Sequence, residues 1–220
     1  MLNFSDLLPY TGQFLKGLLT TVELTLYSTL LGLVLGAVLA TVRQYSSSLL
    51  ASAVSIYVEL IRNTPFIVQL FFIFFGLPSI GVMLSPWQAG MIAMMINLAA
   101  YSTEIIRAGL GATPKGQWEA GKVLGLSFTQ TLFRIVMVPA AEKIYPALTS
   151  QCIIVMLGSA VLSQISVPDL TYAANLVQSR NFRSFESYLV TAGLYLLLAI
   201  LMRKAFNMIG KRVFSYRVTT

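Results

Sequence analysis

The sequence predicts an all-α membrane protein with five transmembrane helices, and two observations carry this prediction. Only 10% of the 220 residues are charged, 56% are apolar, and the mean hydropathy is +0.76. A water-soluble domain usually carries about 25% charged residues. Long stretches of the chain also lack Asp, Glu, Lys and Arg, and about 20 apolar residues in a helix cross a bilayer core of about 30 Å.

The first three helices follow from two uncharged stretches. Residues 24–42 end at Arg43 and predict a helix over 18–42. Nothing between Arg62 and Glu104 is charged, and these 41 residues are long enough to cross the core twice. Two prolines and two glycines in residues 76–86 divide this stretch. We therefore predict helices over 52–76 and 87–106.

Two later stretches predict helices four and five. Residues 144–168 and 187–202 contain no charged side chain. The predicted helices run over 146–165 and 187–206, and no soluble domain is appended to them. The first 15 residues contain no basic side chain, so they lack the positive region that begins a secretory signal. We therefore expect residues 1–220 to form a single transmembrane domain.

The distribution of basic residues predicts the orientation, because short cytoplasmic loops are enriched in Lys and Arg. With the N-terminus outside and the C-terminus inside, three basic residues lie outside: Lys16, Arg180 and Arg183. Eleven lie inside: Arg43, Arg107, Lys115, Lys122, Arg134, Lys143, Arg203, Lys204, Lys211, Arg212 and Arg217. The sequence therefore favours this orientation.

The connection between helices three and four, residues 107–145, is the longest and is too apolar for a solvated linker. Residues 117–124 predict a short helix that Gly125 ends in a left-handed turn. Residues 129–138 predict a second short helix that breaks at Pro139. Two short helices at an angle form either a docking surface for a soluble partner or a hairpin on the lipid headgroups.

Composition excludes several kinds of chemistry. The chain has no histidine, which excludes catalytic triads, histidine-based zinc sites and histidine proton relays. The eight carboxylates are dispersed, so an intramembrane enzyme is disfavoured and we expect no metal site. The basic residues form no clustered face for nucleic acid. Residues 116–123 approach a phosphate-binding loop, but Val123 replaces the hydroxyl that would ligate Mg²⁺.

Charged residues in or near apolar spans are costly and are candidate functional groups. Glu59 and Arg62 are three residues apart and could pair on one helix face, either as a structural ion pair or as charges of a gate or pathway. Glu104 and Arg107 have the same spacing at the inner end of helix three. Glu23 lies near the outer end of helix one, where water could hydrate it.

Neutral polar residues also cluster by helical spacing. Asn97 and Tyr101 share a face with Glu104, and Ser159 shares a face with Ser163, with Gln164 beside it. These groups could line a translocation path or form hydrogen bonds between helices. Gly32 and Gly36 form a GxxxG pair that predicts close helix packing.

The connection over 107–145 resembles the EAA loop of permease subunits of ATP-binding-cassette importers. That pattern is Glu-Ala-Ala, three residues, Gly, nine residues, Ile, one residue and Leu-Pro. Glu119, Ala120 and Gly121 are followed at this spacing by Gly125 and Ile135. Two departures are Gly121 in place of alanine and a proline one residue late, at Pro139.

Further segments resemble the polar amino-acid permeases of that class. They are Ile61-Arg62-Asn63-Thr64-Pro65-Phe66 with Gln69-Leu70-Phe71-Phe72, Ala100-Tyr101-Ser102-Thr103-Glu104-Ile105-Ile106-Arg107-Ala108-Gly109, and Val167-Pro168-Asp169-Leu170. The resemblance extends from about residue 20 to residue 209.

The resemblance implies a type I importer permease fold in the bacterial inner membrane and alternating access for polar or charged amino acids. It implies two ATPase subunits that bind ATP and Mg²⁺, a second permease subunit and a substrate-binding protein outside. This chain is then not an enzyme and binds no cofactor. Glu119 either caps its own helix or contacts the ATPase. A related small solute, such as an opine or osmolyte, is the alternative substrate, and a non-catalytic membrane scaffold is a further alternative.

The resemblance also implies that the second permease is a different chain. Related permeases often carry a polar pair such as Lys-Asp in helix four, where this chain has Leu157 and Gly158. We therefore expect this subunit to contribute little charge to a substrate site.

Overall fold

The computed structural model describes residues 2–214, whose regular secondary structure is helical. Within this range the α-helices are, in chain order, α1 (Thr11–Tyr45), α2 (Ser48–Arg62), α3 (Phe66–Phe71), α4 (Pro86–Gly111), α5 (Lys115–Val123), α6 (Phe128–Thr131), α7 (Met137–Gly158), α8 (Leu170–Asn181) and α9 (Ser184–Val213). Three 3-10 helices span Ser5–Tyr10, Leu77–Ile80 and Ser159–Ile165, and two π turns span Phe72–Gly76 and Leu132–Val136.

Four continuous helical stretches in residues 2–214 are long and apolar enough to cross a membrane: Ser5–Tyr45, Pro86–Gly111, Phe128–Ile165 and Ser184–Val213. A fifth candidate is a bent pair, Ser48–Arg62 with Phe66–Ile80. The predicted helices one, three and five lie inside three of these stretches. Arg217, one of the eleven inner basic residues, lies outside the described residues.

The predicted continuous helix over 52–76 is wrong, because the chain bends by 110° between α2 and α3. Pro65 precedes α3 in an extended conformation (φ −62°, ψ 138°). A proline lacks the N–H of a regular helical turn and disfavours helical geometry in the residue before it. The bend follows from this local chemistry.

The predicted separate helix over 129–138, with a break at Pro139, is also wrong. The helical path runs without interruption from Phe128 to Ile165, so helix four begins well before residue 146. The π turn Leu132–Val136 widens the helix just before Pro139, which lies in the first turn of α7. We attribute the continuity to this widening, because a regular turn would place a carbonyl against the proline ring. Only residues 112–127 separate the two long helices.

The centre of the fold is the contact between α1 and α4, as the GxxxG pair predicts. A Cβ atom on Gly32 would lie 3.1 Å from the carbonyl oxygen of Met95, and one on Gly36 would lie 2.1 Å from the Ser102 hydroxyl. Thr103 donates a hydrogen bond to the Gly36 carbonyl at 3.3 Å. The two backbones can approach this closely only because glycine has no side chain.

Candidate translocation cavity and coupling helix

The bend at Pro65 leaves backbone carbonyls without their helical donors, and one side chain satisfies them. In a regular helix the Ile61 carbonyl would accept a hydrogen bond from residue 65, but proline has no N–H. Gln69 Nε2 donates instead to the Ile61 carbonyl at 2.7 Å and to the Thr64 carbonyl at 3.0 Å. Gln69 is 8% exposed. Gln69 was not predicted as a functional residue, although a glutamine four residues after a helix-breaking proline is a local signal for a side chain that can pair the freed carbonyls.

Gln69 also connects the bend to α4. Its Oε1 accepts a hydrogen bond of 3.0 Å from Nδ2 of Asn97. Tyr57, on α2, donates to the Ile96 carbonyl at 2.7 Å. The bent segment is therefore fixed against α4 by hydrogen bonds from both of its arms.

A cavity of about 360 Å³ lies between this bend, α4 and α7. Four neutral polar residues line it: Thr64, Asn97, Tyr101 and Gln151. Phe66, Ile154, Val155 and Gly158 complete the lining. The structure thus brings two of the predicted path residues, Asn97 and Tyr101, into one cavity. The lining residues Thr64 and Gln151 were not among the predicted ones, whereas Gly158 is one of the two positions where related permeases often carry a polar pair.

An ion cluster lies beside the cavity and contains Glu104. Arg43 of α1 and Arg107 of α4 both form ion pairs with the Glu104 carboxylate. Arg62 Nη1 lies 4.0 Å from the same carboxylate, and its guanidinium carbon lies 5.4 Å from the centre of the Tyr101 ring. The predicted pair of Glu104 with Arg107 is confirmed, and Arg43 joins it because α1 packs along α4.

The predicted pairing of Glu59 with Arg62 is wrong. Arg62 is directed toward Glu104, and Glu59 is exposed and has no ion pair within the described part of the chain. The end of α2 at Arg62 carries the arginine toward α4, whereas Glu59 lies outside that contact. Glu59 therefore does not reach the cavity.

The predicted shared face of Ser159 and Ser163 is also wrong. Both belong to a 3-10 helix, in which residues three apart are eclipsed and residues four apart point in different directions. Ser159 is fully buried, Ser163 donates to the Ala160 carbonyl at 2.9 Å, and Gln164 is exposed. None of the three lines the cavity.

Asp169 is a buried carboxyl at the opposite end of α1 from the ion cluster. It caps α8 by accepting a hydrogen bond of 2.8 Å from the Tyr172 backbone N–H. The Tyr195 hydroxyl donates to its other oxygen at 3.3 Å. Burial raises the pKa of Asp169 to about 7, although these hydrogen bonds lower it. A Cβ atom on Gly17 of α1 would lie 2.7 Å from the Asp169 carbonyl oxygen.

The helix α5 ends as the sequence predicts. Gly125 has φ 68°, in the left-handed region that favours glycine. Its N–H donates to the Lys122 carbonyl, and the Leu126 N–H donates to the Gly121 carbonyl, both at 3.0 Å. This pair of bonds is a Schellman motif, which reverses the chain after α5.

Gly121 fits a site where alanine has no room. A Cβ atom there would lie 2.3 Å from Thr131 Cγ2. Next to this contact, Trp118 stacks on Phe128 with ring centres 5.4 Å apart, and Tyr45 meets both rings edge-on. These contacts fasten α5 to α6 and to the end of α1.

The outer face of α5 is unpartnered within the described residues. Glu119 and Ala120 are exposed, Val123 is 88% exposed and Leu124 is 69% exposed. Glu119 lies beyond the first turn of α5, and the cap residue Pro114 has no side-chain hydrogen bond. The capping role considered for Glu119 is therefore wrong. Ile135 lies half-buried in the π turn after α6.

The comparisons with known proteins decide the family. A family described as "Binding-protein-dependent transport system inner membrane component" matches residues 32–215. The chain belongs to this family. It is a multi-pass protein of the bacterial inner membrane, and it is a permease rather than a catalytic subunit.

Relatives of this inner-membrane component are similar over most of their length. The L-cystine transport system permease protein TcyB of Bacillus subtilis (strain 168) is 34% identical over 201 residues, which cover 91% of this chain and 86% of the relative. The probable glutamine ABC transporter permease protein GlnM of the same organism is 32% identical, with 96% of this chain and 98% of the relative covered.

Solved structures show the type I ABC importer permease fold. One chain of the structure described as "Crystal structure of an amino acid ABC transporter with histidines" is 33% identical to this protein and superimposes with a TM-score of 0.87. The match covers 96% of this chain and 99% of that chain. A chain of the MetNI methionine ABC transporter in an inward facing conformation has a TM-score of 0.80 at 20% identity, over 94% of this chain and 98% of that chain. The second likeness concerns the fold alone.

Proposed function

We propose that this chain is the permease subunit of an ATP-binding-cassette importer that moves polar or charged amino acids by alternating access. The observation that carries the proposal is the polar cavity between the Pro65 bend, α4 and α7, in the same subunit as α5, the proposed coupling helix, whose outer face is open. The named relatives, which include cystine and glutamine permeases, support the substrate class.

The exposed face of α5 supports a docking contact with a partner ATPase, which binds ATP while this chain forms the transport path. Glu119 and Ala120 face outward, and Val123 and Leu124 add exposed apolar surface next to them. Gly121 packs against Thr131 behind this face, Gly125 turns the chain after it, and Ile135 lies half-buried in the π turn that follows α6. In this proposal each α5 enters a cleft of an ATPase subunit, which binds ATP and Mg²⁺, and this chain binds no cofactor.

The proposed assembly contains two ATPase subunits, a second and different permease chain, and an external substrate-binding protein. The chain crosses the membrane five times, with the bent pair α2–α3 as one crossing, the N-terminus outside and the C-terminus inside. Residues 1–220 act as one transmembrane domain. The neutral lining of the cavity agrees with a partner permease that supplies most substrate contacts.

Affinity purification tests the assembly. A C-terminally tagged chain is extracted mildly from its native membrane, and co-purifying proteins are identified by mass spectrometry. We expect an ATPase with Walker motifs and a second permease. An ATPase without another permease would overturn the heteromeric arrangement, and absence of any ATPase from an intact preparation would favour a membrane scaffold.

Two matched variants locate the coupling surface. Val123→Glu places a charge on the exposed face of α5, whereas Met83→Glu changes a residue of similar exposure, 85%, in the loop before α4. We expect Val123→Glu to lose the ATPase during purification and Met83→Glu to retain it. Equal retention of the ATPase by both variants would contradict the role of α5.

A further inference from the structure

The orientation of the Asn97 amide is determined by the bend. Gln69 Nε2 donates to two backbone carbonyls, of Ile61 and Thr64, and only the nitrogen end of an amide can do so. Gln69 Oε1 must then face Asn97 and accept its Nδ2 at 3.0 Å. Nδ2 of Asn97 therefore donates to Gln69, and the side-chain carbonyl oxygen Oδ1 is the atom of this amide that can accept a hydrogen bond in the cavity.

The cavity consequently offers an acceptor at Asn97 but no carboxylate. Its polar lining consists of hydroxyl and amide groups, and none of its lining residues is acidic. The nearest carboxylate described above, that of Glu104, is engaged by Arg43 and Arg107. A neutral acceptor suits the α-ammonium group, whose charge the substrate's own carboxylate balances, whereas an additional buried cationic side chain needs an anionic partner.

A positive charge stands at the margin of the cavity. The Arg62 guanidinium lies over the ring of Tyr101, whose side chain lines the cavity, and the Arg62 side chain is 40% exposed. A cation at this position attracts a carboxylate and repels a second cation. The cavity therefore has a polarity, with an acceptor at Asn97 and a positive charge beyond Tyr101.

We propose that this cavity selects amino acids whose side chains carry no positive charge, with Asn97 Oδ1 accepting a hydrogen bond from the substrate's ammonium group and Arg62 attracting its carboxylate. Gln69 is the positioning residue that holds Asn97 in this orientation. The inference rests on the proposed function, because it concerns the substrate of the same cavity.

Gly158 offers a way to change this selectivity. It lines the cavity, and a Cβ atom added to it would meet no atom within 4 Å. A side chain introduced there has space on the cavity side. Gly158→Asp therefore adds a carboxylate to the site, and Gly158→Asn adds a group of the same shape without charge.

The experiment measures amino-acid binding to the purified permease–ATPase complex without the substrate-binding protein. Ligand-induced shifts in the melting temperature give affinities for L-glutamine, L-cystine, L-glutamate, L-arginine and L-lysine. We expect at least one of the first three to bind about tenfold more tightly than arginine and lysine, because a cationic side chain would enter a cavity that has no anionic lining residue and has Arg62 at its margin. Tightest binding of arginine or lysine, or no binding of any of the five, would overturn the proposal.

Three variants complete the test. Gly158→Asp should raise arginine affinity about tenfold over wild type, and Gly158→Asn should leave it unchanged. Asn97→Leu should weaken binding of the neutral ligand about tenfold. Equal effects of Asp and Asn at position 158, or full affinity in Asn97→Leu, would refute the assigned polarity. Recovery of the ATPase and uptake by the whole transporter test the proposed function separately.

Discussion

The bend at Pro65 and the coupling helix α5 differ in where their polar and apolar groups find partners. At the bend, the carbonyls freed by a proline are paired inside the chain by Gln69, which is 8% exposed. On α5, Val123 is 88% exposed and Glu119 has no partner within the described residues. The polar groups of the bend are therefore paired within this subunit, whereas the outer face of α5 is open within the described residues. Buried polar groups, such as Gln69 and Asp169, should therefore control stability, and the α5 face should control coupling.

The largest expected effect concerns Asp169 and the pH dependence of stability. Its pKa rises from 3.8 in the unfolded chain to about 7 in the folded one, so only the folded chain holds the proton between these values. Stability therefore falls as pH rises from about 4 to about 7, by up to about 4 kcal/mol. Asp169→Asn should remove most of this slope, measured as the melting temperature in detergent across this pH range.

Glu23→Gln is the control for that measurement, because Glu23 is an exposed carboxylate on α1. It should keep the wild-type slope. A slope that survives unchanged in Asp169→Asn would show that other groups cause the pH dependence.

The next effect concerns the bend itself. Gln69→Leu removes the donor to the Ile61 and Thr64 carbonyls, which should lower the free energy of unfolding by about 3 kcal/mol. Gln164→Leu makes the same substitution at an exposed position and should change it by less than about 0.5 kcal/mol. Chemical denaturation in detergent measures both, and equal stability of the two variants would contradict the role of Gln69.

A smaller effect is expected where α5 meets α6. Gly121→Ala introduces a Cβ atom 2.3 Å from Thr131 Cγ2, and this overlap should cost about 2 kcal/mol. Adding Thr131→Ala removes the overlapping methyl and should restore part of the loss. If Gly121→Ala unfolds at the same temperature as wild type, the close contact with Thr131 is not the reason that glycine replaces the second alanine of the Glu-Ala-Ala pattern here.

The smallest effect on stability is expected at Glu119. Glu119→Ala should change the free energy of unfolding by less than about 0.5 kcal/mol, because the side chain has no partner in the described chain. It should nevertheless lower ATP-driven uptake in proteoliposomes by about tenfold, as a central interface residue does. Glu23→Ala, at an exposed site remote from α5, should alter neither quantity. Normal uptake by Glu119→Ala would contradict the proposal that the α5 face controls coupling while the bend controls stability.

Sequence reasoning succeeded where the local geometry was regular. Asn97 and Tyr101 were grouped correctly because α4 is an unbroken α-helix, and Gly125 was assigned correctly because a left-handed turn selects glycine. Ser159 and Ser163 were grouped wrongly because their segment is a 3-10 helix, whose period is different. The prediction of one continuous helix over 52–76 was wrong because it extended the regular α-helical period through Pro65.

Contacts between segments that are distant in sequence could not be predicted from the pattern of each helix alone. Arg43 and Glu104 are 61 residues apart, and their ion pair requires knowledge that α1 packs along α4. The role of Gln69 required knowledge of the bend, since its partner carbonyls are free only there. Helix ends, by contrast, carry local signals, such as Ser85 and Gln88, which form a capping box at the start of α4.

The length of α1 has a mechanical consequence. Its 35 residues form a rod of about 50 Å, which begins at Thr11, passes the Asp169 carbonyl at Gly17 and ends at Tyr45, against Trp118 of α5. A tilt of such a rod by about 10° about the Gly32 and Gly36 contacts displaces its Thr11 end by about 6 Å and its Tyr45 end by about 3 Å. The glycine contacts with α4 stand between the two ends and act as a fulcrum. A displacement at α5 is thereby about doubled, and reversed in direction, at the opposite end of α1.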